Sequence, residues 1–460
     1  MPDRRTLFDW GLHPEAEAWM AAQADELFAA VPSGKALPDQ MLARASCRLL
    51  DCLDHLVLPD GEATRALLLD LGFGQEDADA GTGDRVFALS GAVLPRVVLR
   101  APAAVSGGGP LGAYLLVESI PSFAMAHRCS IAVEGTPLSP YRAGKVWTHQ
   151  GRWIGVVERR AHSGFIAKGM PADYPGQILA AFERWAGRRR RFAHVQEGMA
   201  ATLRLAERLV AEVGTDTGAW VFCEAERAYW QQRNWAGQVQ KARQDALGLG
   251  WGNQDHCAFR SSREGFAALI QILKTFGFQP RERFYAGAEA GWGAQVMEQQ
   301  TSHFGIFCDV DLSPDEVYSD FSRTPLAQRD ELGTIGLWCA LHGDSMLEAG
   351  THHLAARLDF EGATATLPEL GIKLMSPFSE LSYLRQAFTR GERWPVELTR
   401  LDGLAAVGLI TSQQRALFEE KGALSSHMEC IQRGQGFKGF NQQRVSDIIH
   451  RTDPRLTGDS

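Results

Sequence analysis

The sequence predicts an α+β fold in which a helix-rich N-terminal region precedes repeated modules that begin with a strand, a helix and a second strand. Two segments share this layout, LDHLVLPDGEATRALLLDLGF (residues 53–73) and QDHCAFRSSREGFAALIQILKTFGF (residues 254–278). Each opens with Asp-His at the start of a strand, continues into an amphipathic helix and ends with Gly-Phe. A third, weaker copy is THHLAARLDFEGATATLPELGI (residues 351–372). Such self-similarity indicates a duplicated module, with chance similarity of short patterns as the alternative.

The first 248 residues combine helices with short strands. Apolar residues recur at three- and four-residue spacing over 14–71 and over 175–247, which predicts helices. Between them, residues 85–135 contain short β-like runs, and KVWTHQGRWIGVVERR (145–160) predicts a hairpin with its turn at HQGR. The glycines of GLGWG (248–252) are expected to end the helical stretch, because glycine readily adopts the left-handed cap conformation.

The chain has 460 residues, which is too long for a single hydrophobic core, so several domains are expected. We place the main boundary at the glycine-rich segment GLGWG. Residues 1–248 are then the N-terminal α+β region, residues 249–451 are the predicted metal-binding catalytic domain, and residues 452–460 are a flexible tail.

Composition and charge argue against several classes of protein. The formal net charge of −8 argues against binding to nucleic acid. No stretch approaches eighteen consecutive apolar residues, and the first residues lack the pattern of a secretory signal, so we expect a cytoplasmic protein that does not cross a membrane. The eight cysteines form no C-x-x-C pair, which favours reduced thiols over a disulfide framework or a zinc site.

His256 and His353 occupy matching positions in two of the repeats. Each opens an apolar run, HCAF or HLAA, and each is followed four residues later by an arginine, Arg260 or Arg357. Alternate residues of a strand face the same side, so both imidazoles can point inward from their modules and converge on a metal. A single histidine in such a place is more often structural. His352 is the alternative to His353, because a shift of one residue reverses the face.

Glu429 is the candidate third ligand. It lies inside a short apolar strand, and burying a lone carboxylate is costly unless it is paired or coordinated. Two neutral imidazoles and one carboxylate form the facial triad of mononuclear iron(II) oxygenases, which leaves positions for O2 and a bidentate substrate. Zinc would favour more nitrogen or sulfur ligands. His256, His353 and Glu429 are therefore the predicted metal-binding and catalytic residues.

The segments around these ligands resemble a known family. The order His, His, Glu in DHCAFR, HHLAAR and MECIQRGQGFKGFN is similar to that of the vicinal-oxygen-chelate dioxygenases. The last segment resembles the signature of the 4-hydroxyphenylpyruvate dioxygenases. The His-x-x-x-Arg spacing at both histidines and the segments GFQPRERFY and SHFGIFCDVDLS resemble the 2-oxoadipate dioxygenase/decarboxylase (hydroxyglutarate synthase) family. The resemblance covers roughly residues 250–450.

The resemblance implies paired βαβββ modules whose curled sheets enclose a metal. It also implies Fe(II) as the cofactor, O2 and a small-molecule 2-oxo acid as the partners, and oxidative decarboxylation with hydroxylation as the reaction. A 2-oxoadipate-like dicarboxylate is the favoured substrate, and an aryl-pyruvate is the alternative. His55, in the segment LDHLVLP, is then expected to mark a degenerate, metal-free module.

Arg260, Arg357 and Gln432 are the predicted substrate-binding residues. A guanidinium can hold a carboxylate through two parallel hydrogen bonds, which makes Arg260 the first candidate and Arg357 the second. The alternative for both arginines is a surface ion pair at a strand end. Gln432 lies in the strand of Glu429 and can either orient the substrate or bind the backbone.

Two other function classes stay open. A glyoxalase-like lyase or isomerase would use a similar scaffold with a Lewis-acidic metal, usually with a fourth protein ligand. A non-enzymatic small-molecule binding protein would use the same pocket without requiring the histidines to bind a metal. The sequence does not give the oligomeric state.

Overall fold

The strands in the described part of the chain form two mixed β-sheets. The computed structural model describes residues 10–81, 83–101, 109–441 and 451–455. The N-terminal half contributes a seven-stranded sheet and the C-terminal half a nine-stranded sheet, with helices packed on both. The α+β class predicted from the sequence is confirmed.

The seven-stranded sheet is built from two modules that meet at its centre. Its strand order is β2-β3-β4-β1-β5-β7-β6, with β1 parallel to β4, β5 parallel to β7, and β1 antiparallel to β5. In the second module, an isolated bridge between Glu134 and Ala143 replaces the outermost strand. The elements are α1 (Pro14–Ala30), α2 (Leu37–Ala45), α3 (Leu49–Cys52), β1 (Leu53–Pro59), α4 (Glu62–Asp70), β2 (Gly74–Glu76), β3 (Arg85–Ala88), β4 (Arg96–Arg100), β5 (Gly112–Leu116), α5 (Ile120–Ala126), β6 (Tyr141–His149) and β7 (Arg152–Arg159).

Four helices connect the two sheets: α6 (Tyr174–Ala186), α7 (Val195–Val213), α8 (Thr215–Gln231) and α9 (Trp235–Asp245). The apolar faces of α6, α7 and α8 pack on the outer face of the second sheet, where Trp185 and Phe222 join the same hydrophobic core as Phe259. Ala236 of α9 belongs to the core that contains Leu27 of α1. The predicted boundary at residue 248 therefore falls between segments that share one core. The glycines at this point follow the expectation, since Gly248 and Gly250 both have positive φ.

The nine-stranded sheet repeats the arrangement of the first. Its order is β13-β14-β16-β12-β8-β11-β10-β9, and the short strand β15 also pairs with β16. The central strands β8 and β12 are antiparallel, and each is parallel to the last strand of its own module, β11 or β16. The elements are β8 (Gln254–Arg260), α10 (Phe266–Thr275), β9 (Phe278–Tyr285), β10 (Trp292–Gln299), β11 (Gly305–Asp311), α11 (Thr334–His342), β12 (His353–Arg357), α12 (Phe360–Glu369), β13 (Ser379–Leu381), β14 (Leu384–Phe388), β15 (Glu392–Trp394), α13 (Leu398–Ala406), α14 (Ser412–Lys421) and β16 (Ala423–Arg433).

The two faces of this second sheet differ. Leu354 and Met428 belong to a core that also contains Leu27 of α1, so one face is packed against the N-terminal half. Residues one position away, such as His353 and Glu429, point to the opposite face and line a cavity. The predicted paired βαβββ modules are confirmed by this strand order.

Residues near the C-terminus pack against the body of the protein. Thr452 lines the cavity, and the buried Asp453 accepts a hydrogen bond of 2.8 Å from Thr334. The predicted flexible tail begins at residue 452, and its last part, 456–460, lies outside the described residues. No helix in the described part of the chain is long and apolar enough to cross a membrane.

Candidate metal centre

His256, His353 and Glu429 converge at the floor of the cavity. They come from β8, β12 and β16, three adjacent strands, and each is at most 5% exposed. Oε2 of Glu429 lies 3.3 Å from Nε2 of His256 and 2.9 Å from Nε2 of His353. One ligand atom from each residue falls within 4.8 Å of the others. The structure thus brings together the three predicted ligands.

The donor set fits a divalent cation. Nε2 of His353 is buried and has no hydrogen-bond partner among the described residues, although Oε2 of Glu429 lies 2.9 Å away. Such an arrangement is expected when both atoms face a common third point. Ligand atoms about 3 Å apart also match adjacent positions around an ion with bonds of about 2.1 Å.

The charge of the site is also suited to a cation. Burial opposes ionisation of Glu429, but the imidazoles of His256 and His353 outweigh it and hold the pKa of the carboxyl well below its ordinary value. Burial lowers the pKa of His353, whereas at His256 burial is outweighed by hydrogen bonds to Asp255 and Glu429, which raise the pKa. A metal binds an ionised carboxylate and neutral imidazoles, so an ion at this site would compete with a proton for His256.

Each ligand is held by a second residue. Nδ1 of His256 lies 2.8 Å from Asp255, and Nδ1 of His353 lies 3.0 Å from Nε2 of His427. The amide of Gln386 donates a hydrogen bond of 2.7 Å to Oε1 of Glu429, which leaves Oε2 for the metal. Partners of this kind fix the tautomer and orientation of metal ligands.

The cavity above the ligands is mostly aromatic. The space between its lining residues, together with adjoining open solvent, is about 590 Å³. The aromatic lining residues are Phe284, Trp292, Phe307, Phe378, Phe388 and Phe440.

Arg260, Asp309 and His352 form a polar group in the same cavity. Arg260 is 4% exposed, and in the described part of the chain it has no ion pair and no hydrogen-bond partner for Nε. Burial raises the pKa of Asp309 to about 7, so this carboxyl does not fully neutralise the arginine near neutral pH. The guanidinium carbon lies 5.2 Å from the ring centroid of Trp338, but a buried guanidinium without an ion pair among the described residues is still costly, and an anionic ligand would relieve this cost.

The other predicted site residues lie elsewhere. Arg357 and Gln432 are not among the described residues that line the cavity. The side-chain oxygen of Gln432 accepts a hydrogen bond of 2.7 Å from the backbone of Phe360. His352 does line the cavity, but its Nε2 lies 3.6 Å from Asp309. With His353 and His427 it forms a second group of potential ligands, which shares His353 with the triad but contains no carboxylate.

The N-terminal sheet contains a counterpart of this site that lacks two of the ligands. The strand registers show which positions of the two sheets correspond. In the second sheet, Ala355 lies between His256 and Glu429 on the neighbouring strands. In the N-terminal sheet, Tyr114 lies in the same way between His55 and Gly155. Gly155 therefore stands where the second sheet has the glutamate.

The same register places Gly112, two residues before Tyr114, where the second sheet has His353. Side chains at these two glycines would overlap the rings of Tyr114 and Trp153. The ring of Tyr114 also stacks on His55 with a centroid distance of 4.7 Å. The module around His55 thus lacks the carboxylate and the second imidazole at the two matching positions, and that it binds no metal stays a prediction.

Several residues of the site were not predicted from the sequence. Asp309 carried the same signal as Glu429, an ionisable residue inside an apolar strand, in GIFCDVD. His427 lies two residues before Glu429 and so faces the same side. Gln386 gave no signal, because its contact depends on the pairing of β14 with β16.

Comparisons with known proteins give weak matches. No family model matches the chain, and no curated protein matches it. Among solved structures, a mutant 4-hydroxymandelate synthase from Streptomyces coelicolor is 13% identical, with 87% of this chain and 99% of that chain covered and a TM-score of 0.28. Methylmalonyl-CoA epimerase from Mycobacterium tuberculosis is 12% identical, with 39% and 87% covered and a TM-score of 0.23.

A fusion of a xylose isomerase-like TIM barrel with 4-hydroxyphenylpyruvate dioxygenase is also similar. It is 12% identical, with 88% of this chain and 52% of that chain covered and a TM-score of 0.23. These superpositions are weak overall. The fold assignment therefore rests on the strand order and the module symmetry of this chain.

Proposed function

We propose that this protein is a mononuclear iron(II) dioxygenase of the vicinal-oxygen-chelate type that acts on a 2-oxo acid. The observation that carries the proposal is the convergence of His256 Nε2, His353 Nε2 and Glu429 Oε2 at the floor of a buried cavity. Two imidazoles and one carboxylate on adjacent strands are the donor set of the facial triad. The described residues offer three ligands in this group, which leaves positions for substrate and O2.

The residues around the triad support this chemistry. Bound iron(II) would chelate the 2-oxo carboxylate and activate O2 for oxidative decarboxylation and hydroxylation. Gln386 and Asp255 hold the ligands, and the aromatic walls keep bulk water away from the reacting atoms. The chain thus contributes orientation and exclusion of water.

Arg260 supports a substrate with a second acidic group. Its buried guanidinium faces the same cavity as the triad, so it can bind a distal carboxylate while the 2-oxo acid end reaches the metal. A 2-oxoadipate-like dicarboxylate is therefore the proposed substrate class. The six aromatic rings of the cavity favour an aryl-pyruvate as the second candidate.

Oxygen uptake by protein loaded anaerobically with iron(II) tests the reaction. We expect uptake that depends on the 2-oxo acid and is matched by release of CO2, with 2-oxoadipate and 4-hydroxyphenylpyruvate as the first substrates. Tight iron binding without uptake on any 2-oxo acid would contradict the reaction but not the metal centre. Protein that binds no iron would contradict both.

A matched pair of variants tests the metal centre. His256→Asn should abolish iron binding, whereas His55→Asn, at the equivalent position of the metal-free sheet, should leave it unchanged. Equal loss in both variants would mean that the effect comes through folding and would count against the assignment.

A further inference from the structure

Arg433 joins a metal ligand to the segment that covers the cavity. Its guanidinium donates hydrogen bonds of 2.7 and 3.0 Å to the two carboxylate oxygens of Asp255, which lies 2.8 Å from Nδ1 of His256. The arginine is 5% exposed, so this ion pair is shielded from water. The orientation of the imidazole therefore depends on the position of the guanidinium.

The same guanidinium holds residues 434–441, which we call the strap. Nη1 of Arg433 donates hydrogen bonds to the carbonyl oxygens of Gly439, at 2.6 Å, and Phe437, at 3.2 Å. These contacts place the ring of Phe440 edge-on to the ring of His256, with centroids 5.0 Å apart. Phe440 lines the cavity and lies 4.8 Å below the guanidinium carbon of Arg433.

The N-terminal half holds the strap from the other side. The carboxylate of Glu17 accepts a hydrogen bond of 2.8 Å from the backbone of Gly436. Backbone hydrogen bonds also link His13 to Gln435, at 2.6 Å, and Val93 to Gly436, at 2.8 Å. The strap is thus fixed between Arg433 and the first helix and loops of the N-terminal region.

The metal-free sheet contains the same unit. Arg159 follows Gly155 by four residues, as Arg433 follows Glu429. It donates hydrogen bonds of 2.5 and 2.9 Å to Asp54, which lies 2.6 Å from Nδ1 of His55. Its Nη1 also donates to the carbonyl oxygens of residues 162 and 164. Phe165 is edge-on to His55 at 4.8 Å. Because the N-terminal copy lacks the other two ligands, the protein alone sets this geometry.

We propose that Arg433 is a positioning residue that couples the strap over the cavity to the orientation of the metal ligand His256. The proposal rests on the metal centre proposed above. Asp255 and Arg433 link His256 to the carbonyl groups of the strap, so a metal ion held by His256 would act on the same hydrogen-bonded chain that orders the strap. Order in the strap would in turn favour the imidazole orientation that holds the ion, since such coupling is reciprocal.

The experiment compares Arg433→Met with Arg159→Met in otherwise intact protein. Iron(II) affinity is measured anaerobically by competition with a chromophoric chelator, and thermal unfolding is measured on the metal-free protein. Both variants should lower the unfolding temperature, because each leaves a buried aspartate without its arginine. Only Arg433→Met should weaken iron(II) binding, by about 10- to 100-fold, as for other partners of metal ligands.

Arg433→Lys provides a second variant, which keeps a positive charge beside Asp255 but cannot bridge to the strap carbonyls. In the wild-type protein, iron(II) should slow hydrogen exchange at the backbone amides of residues 434–441. In Arg433→Lys this slowing should be lost or strongly reduced, while Arg159→Lys should retain it. If Arg433→Met does not fold, this comparison decides the proposal.

Three outcomes are distinguishable. If the wild-type protein binds iron(II) and the Arg433 variants bind it equally well and protect the strap equally, the proposed role of Arg433 is wrong but the metal centre stands. Arg159 variants that weaken iron(II) binding as much as Arg433 variants also overturn the role of Arg433. Wild-type protein that binds no iron(II) overturns the metal centre and this role together.

Discussion

Nδ1 of His353 lies 3.0 Å from Nε2 of His427, so one imidazole orients another at the metal centre. Burial and the neighbouring His353 and Arg260 hold the pKa of His427 well below its ordinary value, which keeps it neutral and able to accept a hydrogen bond. His353 then carries its proton on Nδ1 and presents the lone pair of Nε2 to the metal. The His427 ring thus orients His353, as the Asp255 carboxylate orients His256.

His427→Phe should weaken iron(II) binding by about 10- to 100-fold, because Nδ1 of His353 loses its acceptor. The measurement is iron(II) affinity by chelator competition under anaerobic conditions. His427→Gln, which restores a carbonyl acceptor, should recover part of the affinity. Unchanged affinity in the Phe variant would show that the pair does not orient the ligand.

His353→Ala should abolish iron(II) binding, whereas His352→Ala should retain it within a few-fold. The reason is geometric, since His353 directs Nε2 toward Glu429 and His352 directs Nε2 toward Asp309. Metal content after anaerobic loading and desalting checks the prediction. The reverse pattern would assign the ligand to His352.

Arg260→Met should raise the KM for a dicarboxylic 2-oxo acid by about 10- to 100-fold, which corresponds to the 1.5–3 kcal/mol of a hydrogen bond to a charged group. Iron(II) binding should be unchanged, because Arg260 is not part of the ligand group. Arg357→Met is the matched control, since Arg357 follows the other histidine at the same spacing but is absent from the described lining of the cavity. Equal effects of both substitutions would contradict a substrate role for Arg260.

Asp309→Asn should make the stability of the metal-free protein less dependent on pH. Burial raises the pKa of Asp309 to about 7 in the folded protein, above its ordinary value of about 3.8. The folded state therefore binds one proton more than the unfolded state between these values, and its free energy of unfolding falls as the pH rises through this window. The loss is at most about 4 kcal/mol, because each pKa unit corresponds to about 1.4 kcal/mol.

Urea unfolding of the metal-free protein between pH 4 and pH 8 checks this prediction. The Asn variant should lose less stability than the wild type across the window. Identical pH profiles would mean that Asp309 is ionised in the folded protein throughout and pairs with Arg260.

The convergence of His256, His353 and Glu429 could be predicted because the signals of these residues are local. His256 and His353 each open an apolar strand of a repeat, and Glu429 places a charge inside another, so the residue pattern alone marked all three. The structure brings these residues together, and the repeats at 53–73, 254–278 and 351–372 coincide with β1–α4, β8–α10 and β12–α12. The fourth module start, β5–α5, has no comparable sequence signal, because its helix is only seven residues long.

The substrate-binding predictions depended on the relative direction of the strands and on the face to which each side chain points. Spacing in the sequence does not give the strand direction. Arg260 and Arg357 each follow a histidine by four residues, but β8 and β12 are antiparallel, so the two arginines lie at opposite ends of the strand pair. Gln432 is three residues after Glu429 and therefore faces the other side of the sheet. The partners His427 and Gln386 depend on pairing between strands distant in sequence, which the sequence alone does not specify.

The two glycines of the N-terminal sheet have an evolutionary consequence. Substituting Gly112 by histidine or Gly155 by glutamate would first drive a side chain into the ring of Trp153 or Tyr114. Those rings would have to shrink beforehand, which would open a void in a packed core and cost stability before any ion could compensate. Placing either ligand in this half would therefore take paired substitutions, one at the glycine and one at the ring that fills its place.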